Sequence, residues 1–191
     1  MKNIIICIAT AAISSTACNT GTDKSSEEIK NDTSNVTAPS ENSGEKITSS
    51  IKEITTHYLH IKNALANDDG GEAASGGKAF VAAMAKFDKS LLTSEQKNIY
   101  KDIEVDAIEM ADHISTNADK IEHQREHFDM LSKDMYDIVK TFGAGQTLYQ
   151  THCPMYNDNK GANWLSETKE IKNPYLGKKM PTCGSVKEEV K

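Results

Sequence analysis

The sequence predicts an all-α fold, an antiparallel four-helix bundle with an irregular C-terminal flap. Apolar side chains recur at the 3.6-residue spacing of an amphipathic helix in four successive stretches between residues 49 and 142. Short connections separate these stretches, and short connections place consecutive helices antiparallel. Residues 145–191 instead contain Gly, Pro and Asn throughout, which predicts a flap with at most short pieces of regular structure.

The first two helices have recognisable ends. Ser49 or Ser50 is a suitable N-cap for the first helix, and Asp68-Asp-Gly-Gly71 predicts its end. A second, alanine-rich helix is expected from about Glu72 to Ser90, with Gly76-Gly77 as a weak point because glycine lowers helix propensity. The apolar faces contain Ile51, Ile54, Tyr58, Ile61 and Leu65 on the first helix, and Phe80, Met84 and Phe87 on the second.

The third and fourth helices are marked by a cap and by a stop. Thr93-Ser-Glu-Gln96 has the sequence of a capping box, which predicts the start of the third helix. Gly143 predicts the end of the fourth helix. The inward faces contain Ile99, Ile103, Ala107, Met110 and Ile114 on the third helix, and Ile121, Phe128, Leu131, Met135, Ile138, Val139 and Phe142 on the fourth.

The N-terminal segment is typical of an exported protein. Lys2 precedes an apolar run, residues 4–13, that is too short to span a bilayer but suits a signal peptide at 1–17. Small residues before Cys18 favour cleavage at that point and lipidation of Cys18. Ordinary cleavage at the same place, without lipid, is the alternative. We therefore expect a protein anchored by lipid in the bacterial cell envelope, facing the periplasm or the cell surface.

Composition divides the rest of the chain into a tether and one domain. Residues 18–47 contain almost no large apolar side chain, so they cannot offset their ordering entropy and are expected to form a flexible tether. Residues 48–191 are enough for one globular domain. The net charge of the whole chain is −6 and its single arginine is Arg125. Without a basic stripe, nucleic acid is not an expected partner.

Soft sulfur ligands stand at the two ends of one C-terminal loop. Cys153-x-Met155 opens the loop and Met180-x-x-Cys183 closes it. Two cysteines in an oxidising compartment form either a structural disulfide or a pair of thiolate metal ligands. The sulfurs meet in both states, so Met155 and Met180 are expected to approach each other whatever the redox state.

His123 and His127 are the second set of candidate ligands. They lie four residues apart on the fourth helix, which places both imidazoles on one side and within reach of one ion. A solvated helix flank is the alternative reading. If the flap folds over this face, His127 is the better candidate and His123 the second. His113 on the third helix is expected at the surface or at the edge of the core.

Several runs of residues resemble the DUF3347 family, and the resemblance covers about residue 50 to the end. It implies a small secreted or lipid-anchored helical domain, found alone or fused to periplasmic adaptor subunits of heavy-metal efflux systems and associated with copper. The runs are Tyr58-Leu-His-Ile-Lys-Asn-Ala-Leu-Ala-Asn-Asp68, Ile121-Glu-His-Gln-Arg-Glu-His-Phe128, Cys153-Pro-Met-Tyr-Asn-Asp-Asn-Lys-Gly-Ala-Asn-Trp-Leu-Ser-Glu167, Ile171-Lys-Asn-Pro-Tyr-Leu-Gly-Lys-Lys-Met180 and Thr182-Cys-Gly184.

The chemistry of these ligands favours a soft metal ion. Thioether sulfur is a poor ligand for Ca, Mg or Zn and a good one for monovalent copper, so Cu(I) is the expected ion and zinc remains possible. We expect a noncatalytic protein that buffers copper or hands it over to an efflux adaptor. One alternative is a partner-binding lipoprotein that holds no metal and is stapled by a disulfide.

A zinc hydrolase is the second alternative. His123-x-x-Glu126-His127 matches the signature of inverted zinc peptidases. Such an enzyme needs Glu126 as general base and a third metal ligand from another helix. The sequence contains no Gly-x-Ser-x-Gly elbow, phosphate-binding glycine loop or Cys-x-x-Cys pair that would indicate another catalytic chemistry.

Overall fold

The computed structural model describes residues 41–191, which form four long helices and a small three-stranded antiparallel sheet. The helices are α1 (Glu41–Ala66), α2 (Gly70–Lys86), α3 (Ser94–Thr116) and α4 (Ile121–Phe142). The strands are β1 (Leu148–Cys153), β2 (Ala162–Ser166) and β3 (Ser185–Val190), in the order β2-β1-β3. The predicted signal peptide, the lipidation site at Cys18 and most of the predicted tether lie outside the described residues. Within residues 41–191, none of the helices combines the length and apolarity needed to cross a bilayer.

The first helix begins earlier than predicted. Its N-cap was expected at Ser49 or Ser50, but α1 starts at Glu41. Ile47 is 5% exposed and belongs to the core, so the last residues of the predicted tether are structured. Polar residues precede Ile47, and a single apolar side chain gives too little periodicity to reveal the first turns.

The third and fourth helices have the predicted ends. The Gln96 backbone N–H donates to Thr93 Oγ1 over 3.2 Å, and the Thr93 N–H donates to Gln96 Oε1 over 3.1 Å, which completes the capping box. Gly143 ends α4 with a positive φ of 76°. The prediction that Ile99 faces inward is wrong: Ile99 is 37% exposed, and its neighbour Tyr100 is fully buried in its place.

The helices pack in sequence, and the sheet covers part of their surface. Helix α1 contacts α2 and α4, and α3 also contacts α2 and α4. Strand β2 packs against α4 and α1. The junction between the sheet and the helices is aromatic: Trp164 and Tyr175 are each 1% exposed, and Tyr175 contacts Phe128 with ring centroids 5.7 Å apart.

The C-terminal sheet corrects the prediction of an irregular flap. Central strand β1 pairs with β2 on one side and with β3 on the other, both antiparallel. Its sequence, Leu-Tyr-Gln-Thr-His-Cys, has polar residues at half-buried positions, and β3 carries the charged residues typical of an edge strand. Alternation of apolar and polar residues is therefore weak. The β1 to β3 pairing also joins distant parts of the sequence.

Arg125 joins the helices to the C-terminal segment. Its guanidinium is almost fully buried and donates to the backbone oxygens of Leu65 and Pro174, over 3.0 and 2.9 Å. It also pairs with Asp68, whose carboxylate accepts from the Lys178 backbone N–H. The end of α1, the first turns of α4 and the segment before β3 are held together at this residue.

Candidate metal centre

Three histidines meet where α3 ends and α4 begins. His113 lies in the last turn of α3, and His123 and His127 lie in the first two turns of α4. One ligand atom from each ring can be chosen so that all three lie within 4.8 Å of one another. Within the described residues 41–191, no other group of three or more His, Cys, Asp or Glu side chains meets this distance criterion. All three residues are partly exposed, so an ion has access to them.

The distances between the rings suit a common ion. His123 Nε2 and His127 Nε2 are 3.1 Å apart. Two nitrogens bound to one tetrahedral ion at 2.0–2.1 Å lie about 3.4 Å apart, so these two atoms need little movement. The His113 ring stacks on the His127 ring, with centroids 4.3 Å apart and planes 10° apart. A rotation of the His113 ring is therefore needed to direct its nitrogen to the same point.

Buried hydrogen bonds fix the helix ends that carry these rings. Gln124 is fully buried, and its amide donates to the backbone oxygens of Ile114 and Gly70, each over 2.9 Å. The Asn117 amide donates to the His113 backbone oxygen over 2.9 Å. Because Gln124 and Ile114 are sequence neighbours of His123 and His113, these bonds set the spacing of the histidines before any ion binds.

His127 lies at the centre of the cluster. Its Nε2 faces His123, and its Nδ1 lies 3.3 Å from the Sδ of Met110 on α3. Burial, followed by the neighbouring His113 and His123, lowers the pKa of His127. The ring is thereby kept in its neutral form, which is the form that binds metal ions.

Carboxylates lie beside the outer two histidines. Glu126 Oε2 lies 3.5 Å from His123 Nδ1, and Glu109 Oε1 lies 3.9 Å from His113 Nε2. Both carboxylates are more than half exposed. A carboxylate on the second nitrogen of a metal-bound imidazole orients the ring and raises its basicity. Glu126 is placed for that role toward His123 when His123 binds through Nε2.

The two cysteines meet in the sheet. Cys153 ends β1 and is fully buried, Cys183 precedes β3, and their Sγ atoms are 2.7 Å apart. Burial, followed by the proximity of Cys153, raises the pKa of Cys183 to about 11. A protonated thiol is a poor metal ligand, whereas two adjacent sulfurs are placed to form a disulfide.

The predicted ligands therefore fall into two groups. His123 and His127 face α3, while Cys153 and Cys183 lie at the sheet and form no group of three with a histidine or carboxylate among the described residues. Met155 and Met180 flank the cysteines and are 48% and 39% exposed. The Tyr156-Asn-Asp158 turn after Met155 shares a groove with Glu122, Glu126, Asp129 and Met130 of α4, so this loop reaches the flank of that helix.

Two members of the cluster, His113 and Met110, were not predicted as site residues from the sequence. His113 was expected at the surface or core edge, and Met110 was assigned to the core. Both assignments follow from reading each helix separately. Met110 and His113 are three residues apart on α3, as His123 and His127 are four apart on α4. The predicted antiparallel pairing of α3 and α4 across a short turn would bring these two pairs of side chains together, and it is the signal that could have identified them as one cluster.

The described residues thus define a mostly helical domain with a three-histidine cluster between two helices. Residues 54–147 match the model of DUF3347, a protein family of unknown function, which supports the predicted family. No curated protein and no solved structure matches the chain. All three histidines lie within the matched range, whereas the sulfur-containing loop follows it.

Proposed function

We propose that this protein is a noncatalytic metal-binding protein of the bacterial cell envelope, and that it holds copper at His113, His123 and His127. The observation that carries the proposal is the convergence of three imidazoles from two helices within 4.8 Å. Zinc, copper, iron and nickel all accept imidazole ligands. The Met110 thioether lies 3.3 Å from Nδ1 of His127, and copper is the ion among these that also accepts thioether sulfur in the same groove.

The protonation state of the cluster supports the same proposal. Three imidazoles in this space repel one another when they are charged, and the pKa of His127 is lowered by burial and by both neighbours. A metal ion replaces that repulsion with three favourable bonds to neutral rings. Binding at this site is therefore expected to strengthen as the pH rises through the range in which histidine loses its proton.

We infer the cellular role from the predicted lipidation site and from the family resemblance. A lipid on Cys18 would place the domain at the envelope, where it buffers copper or hands it over to a heavy-metal efflux adaptor. We further infer that the four helices form an antiparallel bundle, because α1, α2, α3 and α4 each pack against the next and α4 also packs against α1. In such a bundle the site lies at one end, open to a partner that delivers or receives the ion.

The test is a competition titration of the mature chain with Cu(I), Cu(II) and Zn(II), using chelators of known affinity. Replacing His113, His123 or His127 singly with Gln should lower the affinity for Cu(II) and Zn(II) by at least about tenfold, because each change removes a ligand and even the loss of an outer-shell partner can cost about that much. His60→Gln is the matched control: His60 is 41% exposed, close to the 43% of His113, and pairs with Glu72 away from the cluster. Absence of Cu(II) and Zn(II) binding in the wild type, or equal Cu(II) and Zn(II) affinities in the His113→Gln variant, would contradict the proposal.

A zinc hydrolase is the second candidate, because His113 supplies the third ligand from another helix that the His123-x-x-Glu126-His127 pattern requires. The position of Glu126 argues against an enzyme. Its carboxylate lies beside Nδ1 of His123, so when Nε2 binds the ion the carboxylate is on the side of the ring away from the ion. A general base must instead reach the metal-bound water. Glu126→Gln should lower metal affinity by about tenfold at most, because Glu126 is exposed and the Gln amide oxygen can still accept from His123 Nδ1–H. Zinc-dependent peptide hydrolysis that this change abolishes would establish the enzyme instead.

A further inference from the structure

The groove between α3 and α4 continues beyond the three histidines to a pair of methionines. Met110 lies about one turn before His113 on α3, and Met130 lies about one turn after His127 on α4. Both line a cavity of about 190 Å³ together with Asp106, Lys133 and Asp134. Met130 is 40% exposed, so part of its side chain is accessible from solvent.

His127 lies between the two sets of side chains and offers a different nitrogen to each. Its Nε2 is 3.1 Å from Nε2 of His123, and its Nδ1 is 3.3 Å from Sδ of Met110. Nitrogen and sulfur ligands of one tetrahedral ion, at about 2.0 and 2.3 Å from it, lie about 3.5 Å apart. The Met110 sulfur and His127 Nδ1 are therefore close to the separation that a shared ion needs.

We propose that Met110, Met130 and Nδ1 of His127 form a second position for a soft monovalent ion, Cu(I) or Ag(I). The three-imidazole position then serves Cu(II) or Zn(II). The inference rests on the proposed function, because His127 belongs to both positions. Thioether sulfur selects monovalent copper and silver over zinc, whereas imidazole accepts the divalent ions.

The tautomers of His127 make the two positions alternatives. A neutral imidazole has one lone pair on nitrogen and one N–H. When Nε2 binds a divalent ion, Nδ1–H donates to the Met110 sulfur. When Nδ1 binds a monovalent ion, Nε2–H donates to Nε2 of His123. Each state satisfies both ring nitrogens, so one ion is bound at a time and its charge decides which position it takes.

The experiment measures Ag(I) and Zn(II) affinities of the full mature chain by chelator competition. Replacing Met110 and Met130 together with Leu keeps side-chain volume and apolarity, so the fold is retained. In this variant Ag(I) affinity should fall at least tenfold, whereas Zn(II) affinity should fall by a smaller factor, because Met110 only accepts a hydrogen bond from His127 when the divalent ion is bound. In the His113→Gln variant Zn(II) affinity should fall at least tenfold while Ag(I) affinity stays at the wild-type value. In the wild type, each Zn(II) ion that binds should displace one Ag(I) ion.

A matched double variant locates the silver site. Met155→Leu with Met180→Leu removes two exposed thioethers from the sulfur loop. It should keep wild-type Ag(I) affinity. On addition of Ag(I), the methyl NMR signals of Met110 and Met130 should shift while those of Met155 and Met180 do not.

The two proposals fail in different ways. Unchanged Ag(I) affinity in the Met110→Leu, Met130→Leu variant, or loss of Ag(I) binding in the sulfur-loop variant alone, would overturn the second position while Zn(II) binding at the histidines stands. Zn(II) and Cu(II) affinities that are insensitive to all three histidine changes would overturn the proposed function itself. Simultaneous binding of one Ag(I) and one Zn(II) would overturn the claim that the positions are alternatives.

Discussion

Asp134 is half-buried in the groove between α3 and α4, and its ionisation opposes folding. Burial, followed by the negative charges of Asp106 and Asp137, raises the pKa of Asp134 to about 6, and Lys133 opposes this only in part. The unfolded chain holds this proton with a pKa near 3.8. The folded state therefore binds more protons between about pH 4 and pH 6, and this residue makes the folded state less stable as the pH rises through that window.

Replacing Asp134 with Asn should stabilise the protein at neutral pH and not at low pH. Above about pH 6 the wild-type carboxylate is charged in both states, and Asn removes the cost of burying it, about 1 kcal/mol after allowance for partial exposure. Below about pH 4 both side chains are neutral and the difference should disappear. Urea denaturation at several pH values measures this. Asp102→Asn, at an exposed position of α3, makes the same charge change and should show no such pH-dependent gain.

Each side chain of the histidine cluster was predictable to a different degree. His123 and His127 share one helix, so their spacing alone indicates a common face. His113 and Met110 join them through the pairing of two helices, which depends on the length of the turn and on burial of Ile114 and Gln124. Spacing within one helix carries no such information, so only His123 and His127, half of the site, were predictable as ligands from the sequence.

At the scale of elements, two glycines allow α2 to lie close to both of its neighbours. Gly76 faces Ile61 of α1, where a Cβ would lie 2.9 Å from the Ile61 side chain. Gly77 faces α3, where a Cβ would lie 2.7 Å from the Ala111 backbone oxygen. The sequence marked this pair as a weak point of the helix. The structure shows why the lower helix propensity is accepted, because a larger residue would separate the helices.

Gly77→Ala should therefore destabilise the protein even though alanine is the better helix former. The added Cβ meets backbone atoms that cannot move aside without separating α2 from α3, so we expect a loss of about 1–3 kcal/mol, as for overpacked cores. Gly44→Ala is the control, since a Cβ there meets nothing within 4 Å and alanine should stabilise α1 by up to about 1 kcal/mol. Thermal and urea unfolding of both variants measure the difference. Equal effects of the two changes would contradict close packing at Gly77.

The elements differ in how well the sequence predicts them. Helices α3 and α4 have caps, stops and strong periodicity within 25 residues, and their ends were predicted from Thr93 and Gly143. The strands were missed because they are short, partly polar and paired across long loops. Trp164 of β2 contacts Tyr175 with ring centroids 5.8 Å apart, and such nonlocal contacts leave no local pattern.

At the scale of the whole molecule, α4 carries both the candidate metal site and the attachment of the sheet. Its side facing α3 holds His123 and His127, while Arg125, Phe128 and Ser132 contact the C-terminal segment. The hydroxyl of Tyr175 donates to Ser132, and Tyr58 of α1 bonds to the same residue. The C-terminal segment is therefore attached to the helix that carries the histidines, while the cysteines themselves lie apart from that cluster.

The cysteine pair lies between the end of β1 and the segment before β3. Cys153 and Cys183 close a loop of 30 positions, and the high pKa of Cys183 disfavours the thiolate that would bind a metal. We predict a disulfide in the exported protein. In the chain-entropy model such a loop contributes roughly 3–4 kcal/mol to the free energy of unfolding. Urea denaturation with and without a reductant should show a loss of this size in the wild type.

Replacing both cysteines with Ser should remove the effect of the reductant and leave a less stable domain. A chain that starts at residue 19 has only these two cysteines, so a thiol count under denaturing conditions should give none before reduction and two after it. Zn(II) affinity should be the same in the oxidised, reduced and doubly substituted proteins, because the three histidines belong to α3 and α4. If the thiols stay free in air and the Ser variant loses metal binding without losing stability, the cysteines are metal ligands and the disulfide prediction is wrong.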